Sequence, residues 1–159
     1  MEGIHTSLHE GIILHRRIDQ FIDSHEAVVN LNRKLYDKLP RVSGITIDIV
    51  FDHLLALEWK NYHHENLHTF LDNFFHYSNQ EKHILPSPYV TLLERLQTHQ
   101  MLHQYHDEQV IDRIANHLNS KLSFESELPH SRAVYHHYQT EFKHAFQAYM
   151  KDAVNIFLR

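Results

Sequence analysis

The chain has 159 residues, 42% hydrophobic and 22% charged, a balance that suits one all-helical or mixed globular domain and excludes a disordered or fibrous chain. It contains no cysteine, which excludes a disulfide framework, a thiolate zinc site and a cysteine nucleophile. A net charge of −5, with 18 histidines counted neutral, speaks against a general nucleic-acid binder, and no apolar run approaches the roughly 20 residues that span a bilayer.

Only 3 glycines and 4 prolines interrupt the chain, which favours long helices over short strands. Leu8, Ile12, Leu14, Ile18, Phe21 and Ile22 recur at helical spacing and define a first helix. Asp23, with Glu26 three residues on, reads as the capping box of a second helix, which carries Ala27, Val28, Leu31 and Leu35 and stops near Leu39-Pro40. A third runs from about Ser43 through Trp59. Its Ile- and Val-rich start resembles a strand, but the apolar continuation through Phe51 and Leu54 to Leu57 favours a buried helix. A fourth spans Leu67 to about His83, and Pro86-Ser87-Pro88 breaks the chain. Tyr89 to about Tyr105 and Gln109 to Leu122 form the fifth and sixth, and one long aromatic helix follows from Ser131 to Phe157. The expected architecture is all-α, an irregular bundle of about seven helices making one domain over residues 1–159.

Two constellations carry chemistry. His15 and Asp19 stand four apart on one helical face, flanked by Arg16 and Arg17 and followed by Asp23 and His25. Imidazole and carboxylate suit a divalent metal, and an arginine fork suits phosphate. The same pattern also describes an intrahelical pair beside two solvated arginines, the commoner case on helices. Asp48 and Asp52 share a face in the same way, with His53 adjacent. Here the neighbours Ile47, Ile49, Val50, Phe51, Leu54 and Leu55 are all apolar, so the acids need a metal or a salt bridge to Arg16, Arg17 or Arg41. The remaining histidines are scattered and read as polar helix surface, and the C-terminal aromatics read as core. No glycine-rich phosphate loop, Gly-x-Ser-x-Gly elbow or His-Glu-x-x-His motif occurs.

The stretch from Gly11 to His25, with His15, Asp19 and Asp23, resembles the signature segment of the acyl carrier protein phosphodiesterases. The stretch from Gly44 to Trp59, with Asp48, Asp52 and His53, resembles their second signature, and a fainter similarity returns at His137-Tyr138 and from Phe142 to Met150. The resemblance implies an all-helical, bacterial, cytoplasmic hydrolase. Its substrate would be holo-acyl carrier protein, from which it removes 4′-phosphopantetheine to give the apo carrier. Manganese is the favoured ion and magnesium the alternative. On this reading His15, Asp19, Asp48, Asp52 and His53 hold one or two divalent ions, and Asp48, Asp52 and His53 carry the chemistry. Arg16 or Arg17 steadies the phosphate or an acidic face of the carrier.

The family's members usually carry a further segment before the first signature, with a histidine-containing start and a Gly-Asn/Asp-x-x-x-Asp-like stretch. Nothing equivalent precedes Gly11, so the expectation is that this segment, and a ligand or base within it, is missing here. Two rival readings follow: a catalytically incomplete member that binds a carrier protein or another partner, and a phosphohydrolase acting on another small phosphodiester.

Overall fold

A computed structural model describes residues 6–158. Residues 1–5 and 159, which the single-domain reading includes, lie outside the described residues, as do the side chains of Thr6, Ser7 and Leu8. The scarcity of glycine and proline is reflected in eight α-helices and no strand among the described residues. The helices are α1 Thr6–Ser24, α2 Glu26–Leu35, α3 Ser43–Glu58, α4 Leu67–Gln80, α5 Ser87–His99, α6 Gln109–Asn119, α7 Ser131–His137 and α8 Gln139–Phe157.

Helices α1 and α2 are separated by His25 alone, whose extended backbone (φ −66°, ψ 127°) turns the chain. Asp23 stays inside α1 and does not cap α2, and the expected capping box does not form. The Ser24 hydroxyl donates back to the Gln20 carbonyl at 2.7 Å, which keeps α1 helical through Ser24. After α2 the chain turns at Arg41, a non-glycine residue at φ 67°, and its guanidinium lies 3.9 Å from the centre of the Phe124 ring. That cation–π contact helps offset the cost of the left-handed backbone.

Helix α3 is buried on most of its surface. Ile47, Ile49, Val50, Phe51, His53 and Leu54 are all inside, which is why its composition mimics a strand. Its buried Thr46 hydroxyl bonds the Ser131 hydroxyl at 2.8 Å, and Ser131 donates to the Leu128 carbonyl at 2.6 Å. This satisfied chain ties α3 to the start of α7. Asn66 caps α4 by accepting the Thr69 amide at 2.9 Å. Helix α4 ends at Gln80, before a 3₁₀ turn over Lys82–Ile84. Helix α5 takes Pro88 in its first turn and stops where Gln100 turns left-handed at φ 47°. Both are shorter than the sequence pattern suggested, because apolar spacing continues through the 3₁₀ turns. The long C-terminal helix is two helices. Tyr138 (φ −110°, ψ 28°) breaks them, although the amides of Tyr138 and Phe142 still reach the carbonyls of Val134 and Tyr138.

The core lies where α2 packs on α8 and α3 packs between α6 and α8. Leu35, Leu39, Val42, Val50, Ile111, Ala115, Leu128 and Phe142 are wholly buried there. Helix α1 lies along α2 and α8, and its outward Ile12, Ile13 and Leu14 remain exposed. Helices α4 and α5 pack on one another, with α4 also against the 3₁₀ turn Leu102–Gln104. No helix among the described residues is long and apolar enough to cross a membrane.

Candidate active site

Helix α3 presents Asp48 and Asp52 one turn apart, and because they share a face, both look toward α1. Helix α1 answers with His15, Asp19 and Asp23 along its own facing stripe, and α8 closes the third side with Phe146, Tyr149 and Met150. Together these residues line one cavity of about 620 Å³. The carboxylates of both expected constellations, which lie far apart in sequence, therefore share one opening with His15.

Its electrostatics are strongly negative. Loss of surrounding water pushes the Asp48 carboxyl up to about 6, with further upward pressure from the charges of Asp23 and Asp19. Burial pushes Asp52 up to about 6 as well, with the Asp48 charge adding to it. Both side chains still meet solvent at the cavity wall. The Tyr149 hydroxyl is shifted upward by burial and then by the charges of Asp19 and Asp48, so it remains a neutral hydrogen-bond donor. Among the described residues no lysine, arginine or histidine pairs with Asp23, Asp48 or Asp52. The salt bridge to Arg16, Arg17 or Arg41 that the sequence left open does not form. His15 Nδ1 pairs with Asp19 Oδ2 at 2.8 Å, so the intrahelical pair is present and lies at the cavity rim.

Three expected site residues are not brought to this cavity. His53 points away from the cavity because adjacent helical residues diverge by about 100°. It is 2% exposed, its Nδ1–H donates to the Tyr105 carbonyl at 2.7 Å, and its ring packs against Tyr135. Arg17 lies in a separate groove beside Gln20 and Ser24, its guanidinium 5.6 Å from the centre of the Phe157 ring. Arg16 is exposed and does not line the cavity. His25, at the end of the first constellation, bonds Asp152 at 3.2 Å.

Asp23, which follows His15 and Asp19 in the first constellation, lines the cavity rather than capping α2, and Tyr149, expected in the core, lines it as well. Asp23 was legible through the period Asp19-Asp23, which continues the His15-Asp19 stripe. Tyr149 gave no separate signal, since it is 8% exposed and packs within the aromatic core while its edge meets the cavity.

A family model described as acyl carrier protein phosphodiesterase matches residues 1–153. The chain belongs to that family. Relatives named acyl carrier protein phosphodiesterase include one from Enterobacter sp. (strain 638), 28% identical over 120 residues, covering 73% of this chain and 61% of the relative. Another, from Klebsiella pneumoniae (strain 342), is 32% identical over 116 residues, covering 70% of this chain and 58% of the relative. A third, from Pectobacterium atrosepticum, is 41% identical over 63 residues, covering 39% and 33%. The chain spans about three fifths of the length of the first of these relatives. No solved structure matches it. In this member of the acyl carrier protein phosphodiesterases, the stretches 11–25 and 44–59 both fall within the matched residues, and each contributes carboxylates to the acidic cavity.

The donor set fits a hard divalent ion by its chemistry. Oxygen-rich carboxylate sites suit magnesium and manganese, and an imidazole is tolerated by the latter. The charges of Asp23 and Asp19 on Asp48, and of Asp48 on Asp52, are repulsions that a bound cation would relieve. The carboxylates stand around the cavity wall; among the described residues no three histidine or acidic side chains already converge on one point.

Proposed function

We propose that this chain hydrolyses the phosphodiester joining 4′-phosphopantetheine to a serine of holo-acyl carrier protein, within the acidic cavity between α1, α3 and α8. The observation that supports the reading is that four carboxylates, from two stretches of a chain whose residues 1–153 match the family, line that single opening. In the reaction the oxygen of water bonds to phosphorus, the bond from phosphorus to the serine oxygen breaks, and the serine oxygen takes a proton. The phosphate leaves with the pantetheine arm.

The cavity lining supports the following roles. Asp19, Asp23 and Asp48, with His15 at the rim, form the set that would hold manganese or magnesium. A bound divalent ion supplies counter-charge to the phosphoryl oxygens and lowers the pKa of a bound water. Asp52 stands at the inner end of the acidic row, and a carboxyl held near 6 exchanges protons readily at neutral pH. It takes a proton from the attacking water. Tyr149 keeps its hydrogen and donates toward the phosphate. His53 is dropped from the reacting set and acts through Tyr105, which it anchors. Arg16 and Arg17, away from the cavity on the exposed side of α1, are proposed to meet the acidic surface of the carrier protein.

The test is substitution at the two ends of the acidic row. With Mn²⁺ present, Asp48→Ala and Asp52→Ala should each slow release of phosphopantetheine by at least about 100-fold while circular dichroism stays helical. Full activity in either variant would remove that residue from the mechanism, and full activity in both would remove the cavity.

A further inference from the structure

We propose that the apolar pocket adjoining the acidic cavity seats the branched aliphatic start of the substrate's arm, an inference that rests on the phosphodiesterase reading above. The pocket, of about 130 Å³, shares Asp52 and Leu55 with the acidic cavity. It is built by Ala56 of α3, Leu67 and Leu71 of α4, Leu102 and the ring of Trp59. The Trp59 N–H is already given to the Glu65 carbonyl at 2.9 Å, so the indole presents an apolar face to the pocket. An apolar cavity of roughly this size accepts a ligand as large as benzene.

This chemistry selects its occupant. The pocket has no cationic donor for a phosphate, and a second metal ion would find only Asp52. An apolar branched group fits, provided it is joined to a phosphate lying in the neighbouring cavity. The pantetheine arm has that construction: its quaternary carbon, bearing two methyl groups, stands two bonds from the phosphoester oxygen. With the phosphorus beside Asp48 and Asp52, the dimethyl group passes Asp52 and enters between Ala56 and Leu67. The pocket thereby distinguishes a branched arm from a simple alkyl phosphodiester, because a methyl or methylene group in a hydrophobic pocket is worth at least about tenfold in selectivity.

Free pantetheine, which lacks the phosphate, is titrated into the ¹⁵N-labelled chain, and amide shifts are followed at Ala56, Leu67, Leu71 and Leu102. Pantetheine should shift these amides. N-acetylcysteamine, the unbranched thiol end of the arm, should not. Ala56→Phe, which fills the pocket, should weaken pantetheine binding at least about tenfold, and Leu67→Trp should do the same if the first variant folds poorly. The inference is overturned if pantetheine shifts none of the four amides, if N-acetylcysteamine shifts them equally, or if both filled variants bind pantetheine unchanged. This result is independent of hydrolysis. Pantetheine binding without cleavage of holo carrier defeats the phosphodiesterase reading, whereas cleavage without pocket binding defeats the pocket alone.

Discussion

Replacing Asp52 by asparagine should make the protein more stable at neutral pH, an unusual outcome for a candidate catalytic residue and one with a definite pH signature. In the folded chain the Asp52 carboxyl is held at about 6 against an ordinary 3.8, first by burial and then by Asp48. The folded state therefore binds more protons than the unfolded state between those two values. Stability falls as pH rises through that window and is level above it. Moving one carboxyl that far corresponds to about 3 kcal/mol for a group cut off from water. Solvent reaches Asp52 at the cavity wall, which reduces the expected effect to ~1 kcal/mol. Asparagine has the shape of the protonated carboxyl and no charge. Asp52→Asn should thus gain ~1 kcal/mol at pH 7.5, and the gain should vanish near pH 4. Urea unfolding of both proteins at pH 4, 6 and 7.5 measures this, and using their difference removes every pH effect common to the two. A variant that is less stable at pH 7.5, or whose advantage grows as pH falls, would refute the electrostatic reasoning. Asp48→Asn should behave alike, and the double substitution should gain less than the sum, because the two charges repel one another.

Other consequences of the structure are independent of that acid pair. His53→Ala leaves the Tyr105 carbonyl without its donor and should cost about 1–3 kcal/mol in urea unfolding, while calorimetry shows Mn²⁺ affinity changed less than threefold. Asn66→Ala removes the cap of α4 and should cost ~1 kcal/mol, read as a lower unfolding midpoint; no change would mean the Thr69 amide finds another partner. Phe142→Ala empties a wholly buried site on α8, where the ring packs edge-on against Tyr135, with an expected loss of about 3–5 kcal/mol by the same assay. Leu158→Ala, on a residue 73% exposed, should change stability by less than about 0.5 kcal/mol and serves as its control.

The helical architecture was legible because sparse breakers and a 3.6-residue apolar period leave few alternatives over long stretches. The ends of helices were not. Beyond α4 and α5 apolar residues continue into 3₁₀ turns, where Ile84 and Leu102 are half-buried, so periodicity alone overruns the true stop. Tyr138 splits the last helix with no proline or glycine to announce it. The acidic face of the candidate site was legible because four-residue spacing puts carboxylates on one side of a helix; the salt bridge expected for Asp48 and Asp52 is absent because that side meets solvent. Direction was the weak point. His53 sits next to Asp52 in sequence, but the helical turn between them aims it away from the acidic cavity. Arg17 likewise follows the turn of α1 away from His15. Tyr149 was hidden because one residue can serve core packing and line a cavity at once.

Holo-acyl carrier protein incubated with this chain and Mn²⁺, then weighed intact by mass spectrometry beside an EDTA control, tests the central claim most directly. The account predicts loss of the phosphopantetheine group in the Mn²⁺ sample, its retention with EDTA, and its retention when Asp48 and Asp52 are both alanine. A carrier whose mass is unchanged with Mn²⁺, or cleaved equally by the double variant, would contradict it.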